Sequence, residues 1–341
     1  MASRPSGSST ESPAIGVVGV GSLGYHHTRI LASLDGVRMA GVYDADVDRA
    51  LQVGTDLGVE PRQTLEALVD VSDGLVVAVP TIEHEAVAVA ALARGVSVLV
   101  EKPVAPSLEA ADRMLQAAES SGALIQVGHV ERFNAAIRAA EPYLQAPLFI
   151  ESHRLAPFVP RSIDVAVVLD LMIHDVDLVQ SLVGRPVAAV AATGIPVLTP
   201  SVDIANARLE FEGGVVANLT ASRVSTERMR KLRIFQESGY LSLDLADGSG
   251  EFLKLKQALP LFSVETDFEV PPEGGLAEIV ERVPLQGDGA EPLAKQLENF
   301  RDAVAGREMP AVSGLDGREA LAVSLLIEER IDSNVVDTRK A

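Results

Sequence analysis

Residues 15–24 read Ile15-Gly-Val-Val-Gly-Val-Gly-Ser-Leu-Gly24. Ile15, Val17, Val18 and Val20 form a short apolar run of the kind that makes a strand buried on both faces. Gly19, Gly21 and Gly24 fall at the GxGxxG spacing, and residues 25–34 can continue as a helix. In such a turn the first glycine allows a tight bend and the second lets the backbone approach a pyrophosphate. The third lets helix and strand pack closely, while Ser22 and Leu23 open a helix whose first N–H groups are free for an anion. The spacing alone is a weak signal. Here an acid, Asp44, sits twenty residues past Gly24, closing a second apolar run over 37–43. There a carboxylate can accept hydrogen bonds from both ribose hydroxyls of a dinucleotide. The plain alternative is an ordinary glycine-rich turn between strand and helix.

Working outward, the 341 residues suffice for two domains with separate cores. An apolar fraction of 47% and a charged fraction of 23% are those of a globular protein. No apolar run approaches the ~20 residues of a membrane helix. Residues 1–13 are rich in Ser and Pro and lack the apolar segment of a signal peptide, so they read as a disordered tail. Cysteine is absent, which excludes disulfides and thiol nucleophiles and fits a reducing cytoplasm. A net charge of −19 argues against a nucleic-acid groove. Only six of the cations are lysines, so a lysine at a strategic position stands out.

From 14 to 130 strand and helix patterns alternate. Strands are expected over 74–79, 96–100 and 123–127, with helices over 50–58, 64–68, 83–94 and 108–121. Short links between such units predict a doubly wound parallel sheet of the Rossmann kind. Past residue 130 the pattern changes. A helix over 131–143, a strand over 148–155 and a long apolar helix over 165–182 precede consecutive strands over 187–255. This predicts an α+β domain, 131–341, with an open-faced and mostly antiparallel sheet. Residues 260–289 carry no clear pattern. Helices over 293–305 and 317–331 close the chain and can pack back on the first domain.

Ligands in open α/β sheets bind beyond the carboxyl ends of the strands. Val79-Pro80-Thr81, with His84 just after, and Glu101-Lys102-Pro103 both lie there. Lys102 is the only lysine in the first 230 residues, although a solvated strand-end lysine fits its position equally well. Asp170 and His174 are four apart on a predicted helix and so share a face, within a turn otherwise made of Val, Leu, Met and Ile. A histidine beside a carboxylate can move a proton near neutral pH, or can simply form an ion pair that anchors the helix. Asp175 and Asp177 are expected to cap or to face solvent. His26 and His27 follow the glycine loop as packing or phosphate-rim residues. No histidine pair has metal-ligand spacing, so no metal is expected. Phosphate-loop and serine-elbow motifs are absent too.

Several stretches together resemble one family, the glucose-fructose oxidoreductase / inositol dehydrogenase / MocA (Gfo/Idh/MocA) dehydrogenases. They are Gly19-Val-Gly-Ser-Leu-Gly24, Val79-Pro-Thr81 with His84, Glu101-Lys-Pro103, Gly128-His-Val-Glu-Arg-Phe-Asn134 and Asp170-Leu-Met-Ile-His174. The resemblance implies an NAD-binding domain followed by a substrate and oligomerisation domain, in a homodimer or homotetramer. It implies that Lys102 holds the reacting hydroxyl, that His174 takes its proton and that Asp170 orients substrate or histidine. Met172 departs from the pattern, since many members carry glycine there. Residues 127–134, 151–158, 168–175 and 221–225 look most like members that oxidise the 3-hydroxyl of UDP-N-acetylglucosamine, whose ketone a partner aminotransferase consumes. Arg132, Asn134, Arg154, Arg161 and Arg223 are then candidate substrate contacts, and surface arginines balancing an acidic chain are the bland reading of Arg154, Arg161 and Arg223. An inositol or polyol dehydrogenase is the alternative within the family, and a non-catalytic NAD- and sugar-binding regulator the alternative outside it. Asp44 and Asp46 would repel a 2′-phosphate, which favours NAD over NADP.

Overall fold

The computed structural model describes residues 12–159, 165–256 and 280–334. They divide into two compact units, the first made of the chain up to His129 with Leu293–Arg318, the second of Val130–Pro292 with the chain from Glu319 onward. Of the expected tail only Ser12 and Pro13 fall within the described residues.

In the first unit five strands, β1 (Ala14–Val18), β2 (Arg38–Tyr43), β3 (Gly74–Val77), β4 (Ser97–Val100) and β5 (Ile125–Val127), form one sheet in the order β2-β1-β3-β4-β5. Every pair is parallel. The strand order reverses between β1 and β3, which puts a topological switch point beside the glycine loop that follows β1. β1, β3, β4 and β5 are buried throughout, as expected of strands covered on both faces. The covering helices are α1 (Ser22–Ser33), α2 (Val47–Leu57), α3 (Leu65–Val69), α4 (His84–Leu92) and α5 (Leu108–Ser121), joined by α8 (Pro292–Val304). α2 starts earlier than the apolar pattern suggests because the Asp46 carboxylate accepts from the Arg49 N–H at 3.1 Å and caps it. Leu297 and Phe300 of α8 are fully buried in the same core as Ile15, Val17, Val76 and Leu99.

The second unit holds an eight-stranded sheet ordered β13-β12-β11-β10-β6-β9-β8-β7. Its strands are β6 (Phe149–Leu155), β7 (Val187–Ile195), β8 (Ile204–Phe211), β9 (Val216–Ser222), β10 (Met229–Gln236), β11 (Gly239–Asp244), β12 (Ser249–Leu255) and β13 (Val280–Gln286). All neighbours are antiparallel except β6 and β9. β6, β8 and β9 alternate buried with more exposed positions, so one face carries the core and the other stays open. β13 lies in the stretch without a sequence pattern.

Two expected helices are altered. The one over 131–143 is three pieces: a 3₁₀ turn (Val130–Phe133), α6 (Ala135–Ala140) and a second 3₁₀ turn (Glu141–Tyr143). Asn134 breaks it, being extended at φ −61° and ψ 135° and capping α6 through the Ala136 N–H. The long apolar helix begins instead with a π-helical turn (Val168–Met172) that passes into α7 (Ile173–Val183). The last helix, α9 (Gly314–Asn334), starts in the first unit and ends in the second. No helix among the described residues is long and apolar enough to cross a membrane.

Candidate active site residues

The glycine loop has the geometry its spacing predicts. Gly19 sits at φ +83°, and a Cβ there would lie 2.7 Å from the Ala78 carbonyl oxygen. A Cβ on Gly24 would lie 1.8 Å from the Gly19 oxygen, so helix and loop pack at a distance only glycine permits. At Gly21 a Cβ would meet nothing within 4 Å, which leaves open space on the outer side of the turn. No side chain caps α1, so the N–H groups opened by Ser22 and Leu23 stay available to an anion. The Asp44 carboxylate accepts from the Val20 N–H at 2.7 Å and from the Asp46 N–H at 2.9 Å. A carboxylate offers about four acceptor positions, so this one is fixed in place with capacity remaining for ribose hydroxyls. Arg49 pins the other side of the loop, its Nε donating to the Val20 carbonyl at 2.8 Å while its guanidinium lies 5.8 Å from the centre of the Tyr25 ring. The residues present therefore fit a dinucleotide. Arg49 has no motif signature; a cation five residues past the acid was the one available hint.

Beyond β3, Val79, Pro80 and Thr81 lead into a 3₁₀ turn (Thr81–Glu83). His84, expected beside the cofactor, is 1% exposed and committed to the backbone. Its Nε2 faces the Val79 carbonyl at 3.0 Å, and its Nδ1 faces those of Pro103 and Val104 at 3.0 and 3.3 Å. Burial pushes the imidazole below its usual pKa range, against the pull of those three carbonyls and of Glu101. Beyond β4, Glu101 is buried and pairs with His27 Nε2 at 2.7 Å, and Lys102 beside it is half-buried. His27 is fully buried, so it packs rather than rims a phosphate.

In the second unit Asp170 lies inside the π-helical turn, and His174 lies in the first turn of α7. Both are half-buried, while Val167, Val168, Met172 and Ile173 around them are fully buried. A π turn inside a helix is rare and recurs at functional sites, because the extra residue re-aims the side chains next to it.

The expectation for Asp175 and Asp177 is overturned. They are 2% and 1% exposed. Arg154 grips Asp175 with Nε and Nη2 at 2.7 and 2.9 Å and reaches Glu131 with Nη1 at 2.8 Å. Arg230 approaches the same Glu131 oxygen at 3.3 Å. Arg132 forms a second bidentate pair with Asp177 at 2.9 and 2.7 Å. Burial pushes the Glu131 carboxyl up, but the guanidiniums of Arg154 and Arg230 and the Asn134 amide outweigh it and hold it below the usual range.

Four expected substrate contacts thus have structural partners. Arg154 is 3% exposed and bonded to two carboxylates. Asn134 donates to Glu131 and to the Leu245 carbonyl. Arg132 holds Asp177. Arg223, 6% exposed, donates to Asp203 at 2.8 Å and to the Val165 carbonyl at 2.7 Å. The physical reason is shared: a guanidinium or amide on an inward position must find acceptors inside, and these do. Arg161 lies outside the described residues. Inward alternation along β6, where Ile150, Ser152 and Arg154 are buried, was the signal that could have found the Arg154 cluster. Among the described residues no group of three or more His, Cys, Asp or Glu side chains could hold a metal ion.

Comparison with known proteins agrees with both halves. A family model described as "Oxidoreductase family, NAD-binding Rossmann fold" matches residues 14–129, and the GFO/IDH/MocA C-terminal domain matches 126–242. The chain is 34% identical over 319 residues to UDP-N-acetylglucosamine 3-dehydrogenase of Acidithiobacillus ferrooxidans, covering 93% of this chain and 97% of that one. A solved structure of that enzyme superposes with a TM-score of 0.84 at 32% identity, over 94% of this chain and 98% of that one. The scyllo-inositol 2-dehydrogenase (NAD(+)) of Bacillus subtilis is 29% identical over 230 residues, 61% of this chain and 67% of that one. The chain belongs to the GFO/IDH/MocA family of NAD-binding oxidoreductases.

Proposed function

We propose that the protein oxidises the 3-hydroxyl of UDP-N-acetylglucosamine, or of a related UDP-sugar, to a ketone with NAD⁺. The observation that carries this is the likeness to UDP-N-acetylglucosamine 3-dehydrogenase along 93% of the chain, where the inositol dehydrogenase matches 61%. Gly19, Gly21, Ser22, Leu23 and Gly24 would receive the pyrophosphate and Asp44 the ribose, with Val79, Pro80, Thr81 and Glu101 lining the way to Lys102. When bound, NAD⁺ supplies the acceptor for the hydride leaving the carbinol carbon. Lys102 Nζ donates to the reacting oxygen and stabilises the charge that grows there. His174 takes the hydroxyl proton through Nε2, its Nδ1 being buried. Asp170 orients the substrate or that imidazole.

A free polyol is the second reading. Arg154 and Arg223 are bonded inside the second unit, which removes two of the cations expected to meet a diphosphate. A homodimer or homotetramer would use the open face of the sheet, where Phe235 stacks on Tyr240 at 5.1 Å and meets Phe149, tilted, at 5.7 Å. The ketone product suits a pathway aminotransferase, and a reducing cytoplasm suits the absence of cysteine. One assay tests the reading: NADH absorbance followed with NAD⁺ and a panel of UDP-sugars and polyols. Turnover of UDP-N-acetylglucosamine supports it, and turnover of polyols alone would sink it.

A further inference from the structure

Lys102 is the residue on which the proposed reaction turns, and the chain on either side of it is held by a buried histidine. On the N-terminal side, the Glu101 carboxylate accepts from His27 Nε2 at 2.7 Å. An ionised carboxylate only accepts, so the proton of that bond sits on Nε2. His27 Nδ1 is buried with no hydrogen-bond partner, so this one bond fixes the ring. Behind the carboxylate lies Gly128, where a Cβ would come within 2.7 Å of Glu101 Oε2. Glu101 is thus seated in a socket, with an imidazole on one side and bare backbone on the other. On the C-terminal side, the His84 ring lies between the Pro103 and Val104 carbonyls and that of Val79, with one N–H to donate to them.

His27 also stands one turn past Gly24 on α1, the helix whose N-terminus closes the glycine loop. A strut therefore runs from the loop helix to the residue preceding Lys102. Packing alone would ask for an apolar side chain at His27, which is fully buried. A histidine spent on one buried carboxylate beside a strand end calls for another account.

We propose that His27, acting through Glu101 in the Gly128 socket, is a positioning residue that sets the Lys102 ammonium against the reacting hydroxyl. The proposal rests on the reading of Lys102 given above. It assigns His27 no contact with substrate. Its effect falls on the chemical step, because displacing a hydroxyl-holding group by about 1 Å costs on the order of a hundredfold in rate with little change in binding.

Two measurements on the 341-residue chain test it. The first is competitive acetylation with mass-spectrometric readout, in the absence of any substrate, which compares the reactivity of Lys102 with that of the other five lysines. In His27→Leu, Lys102 should change several-fold relative to the others, whereas general loosening would also raise the half-buried Lys295. The second is kinetics. His27→Leu should lower kcat roughly ten- to a hundredfold with KM changed less than about threefold, and His27→Gln, whose amide N–H can reach the same carboxylate, should recover most of it. If His27→Leu does not fold, Gly128→Ala decides instead, since it crowds the carboxylate without removing a partner and should give the same selective change at Lys102. Unchanged Lys102 reactivity in the folded variant, or equal loss in His27→Leu and His27→Gln, overturns the proposal. A wild type silent toward every sugar would refute the proposed reaction, while the acetylation pattern would still judge the strut.

Discussion

In the first unit one buried carboxylate, Glu101, meets one imidazole. In the second, the guanidinium of Arg154 is shared by two buried carboxylates, Glu131 and Asp175, with Arg230 at the edge and the Arg132–Asp177 pair beside it. The first arrangement can lose its imidazole and leave one charge near a strand end. The second cannot lose Arg154 without taking the guanidinium from Asp175 and leaving Glu131 to Arg230 and Asn134 alone, in a medium where a poorly paired charge costs several kcal/mol. One cluster places a side chain; the other holds a domain together. The difference teaches that burial and pairing do not by themselves mark a site of chemistry.

The largest effect that would sharpen this contrast is on turnover. Lys102→Ala and His174→Ala should each lower kcat by about 10²–10⁴-fold while the protein still binds NAD⁺, read by steady-state kinetics and calorimetry. Loss of folding instead would put His174 with the structural cluster. Next, Arg154→Ala should destabilise by about 3–5 kcal/mol in denaturant titrations, far more than His27→Gln. Equal costs would erase the distinction between the two clusters. A smaller change is expected at Asp44→Ala, about tenfold in the preference for NAD over NADP, measured as the ratio of kcat/KM values. No shift would mean that the carboxylate serves only the Val20 and Asp46 N–H groups.

The smallest effect concerns Glu328, on the part of α9 that belongs to the second unit. Burial, with the Asp332 charge one turn on, pushes its carboxyl up to about 7. A carboxyl raised on folding favours the native state at low pH, and that contribution is lost as pH rises from its unfolded value near 4.5 through about 7. Glu328→Gln should therefore be more stable than wild type at pH 8, on the order of 1 kcal/mol after solvent screening, and should match it at pH 4. A gain that persists at pH 4 would point to packing rather than charge.

The same contrast explains what could be read from the sequence. The glycine loop, Asp44 and the Glu101-Lys102 strand end are local: each is recognised by spacing over a few residues, and parallel strands with short links leave little freedom in where they go. Asp175 and Asp177 were misread because their partners stand 21 and 45 residues away, and helical periodicity says nothing about what faces a helix from another element. The break at Asn134 was hidden for a similar reason, since the Leu245 carbonyl that it holds lies 111 residues on. The π turn at Asp170 has no sequence signature, because one extra residue per turn is set by packing rather than propensity.

α8 carries a consequence for how the molecule is made. Leu297 and Phe300 belong to the first unit's core, yet they follow the whole second sheet in the chain. On a ribosome the parallel sheet therefore emerges early and waits, one apolar flank unsealed, until nearly 300 residues have been synthesised. The second unit's strands, emerging in the meantime, are complete before the first unit can close. The dinucleotide fold is begun first and finished last, so a fragment ending near residue 130 would hold every glycine of the loop and still lack Leu297 and Phe300 of its own core.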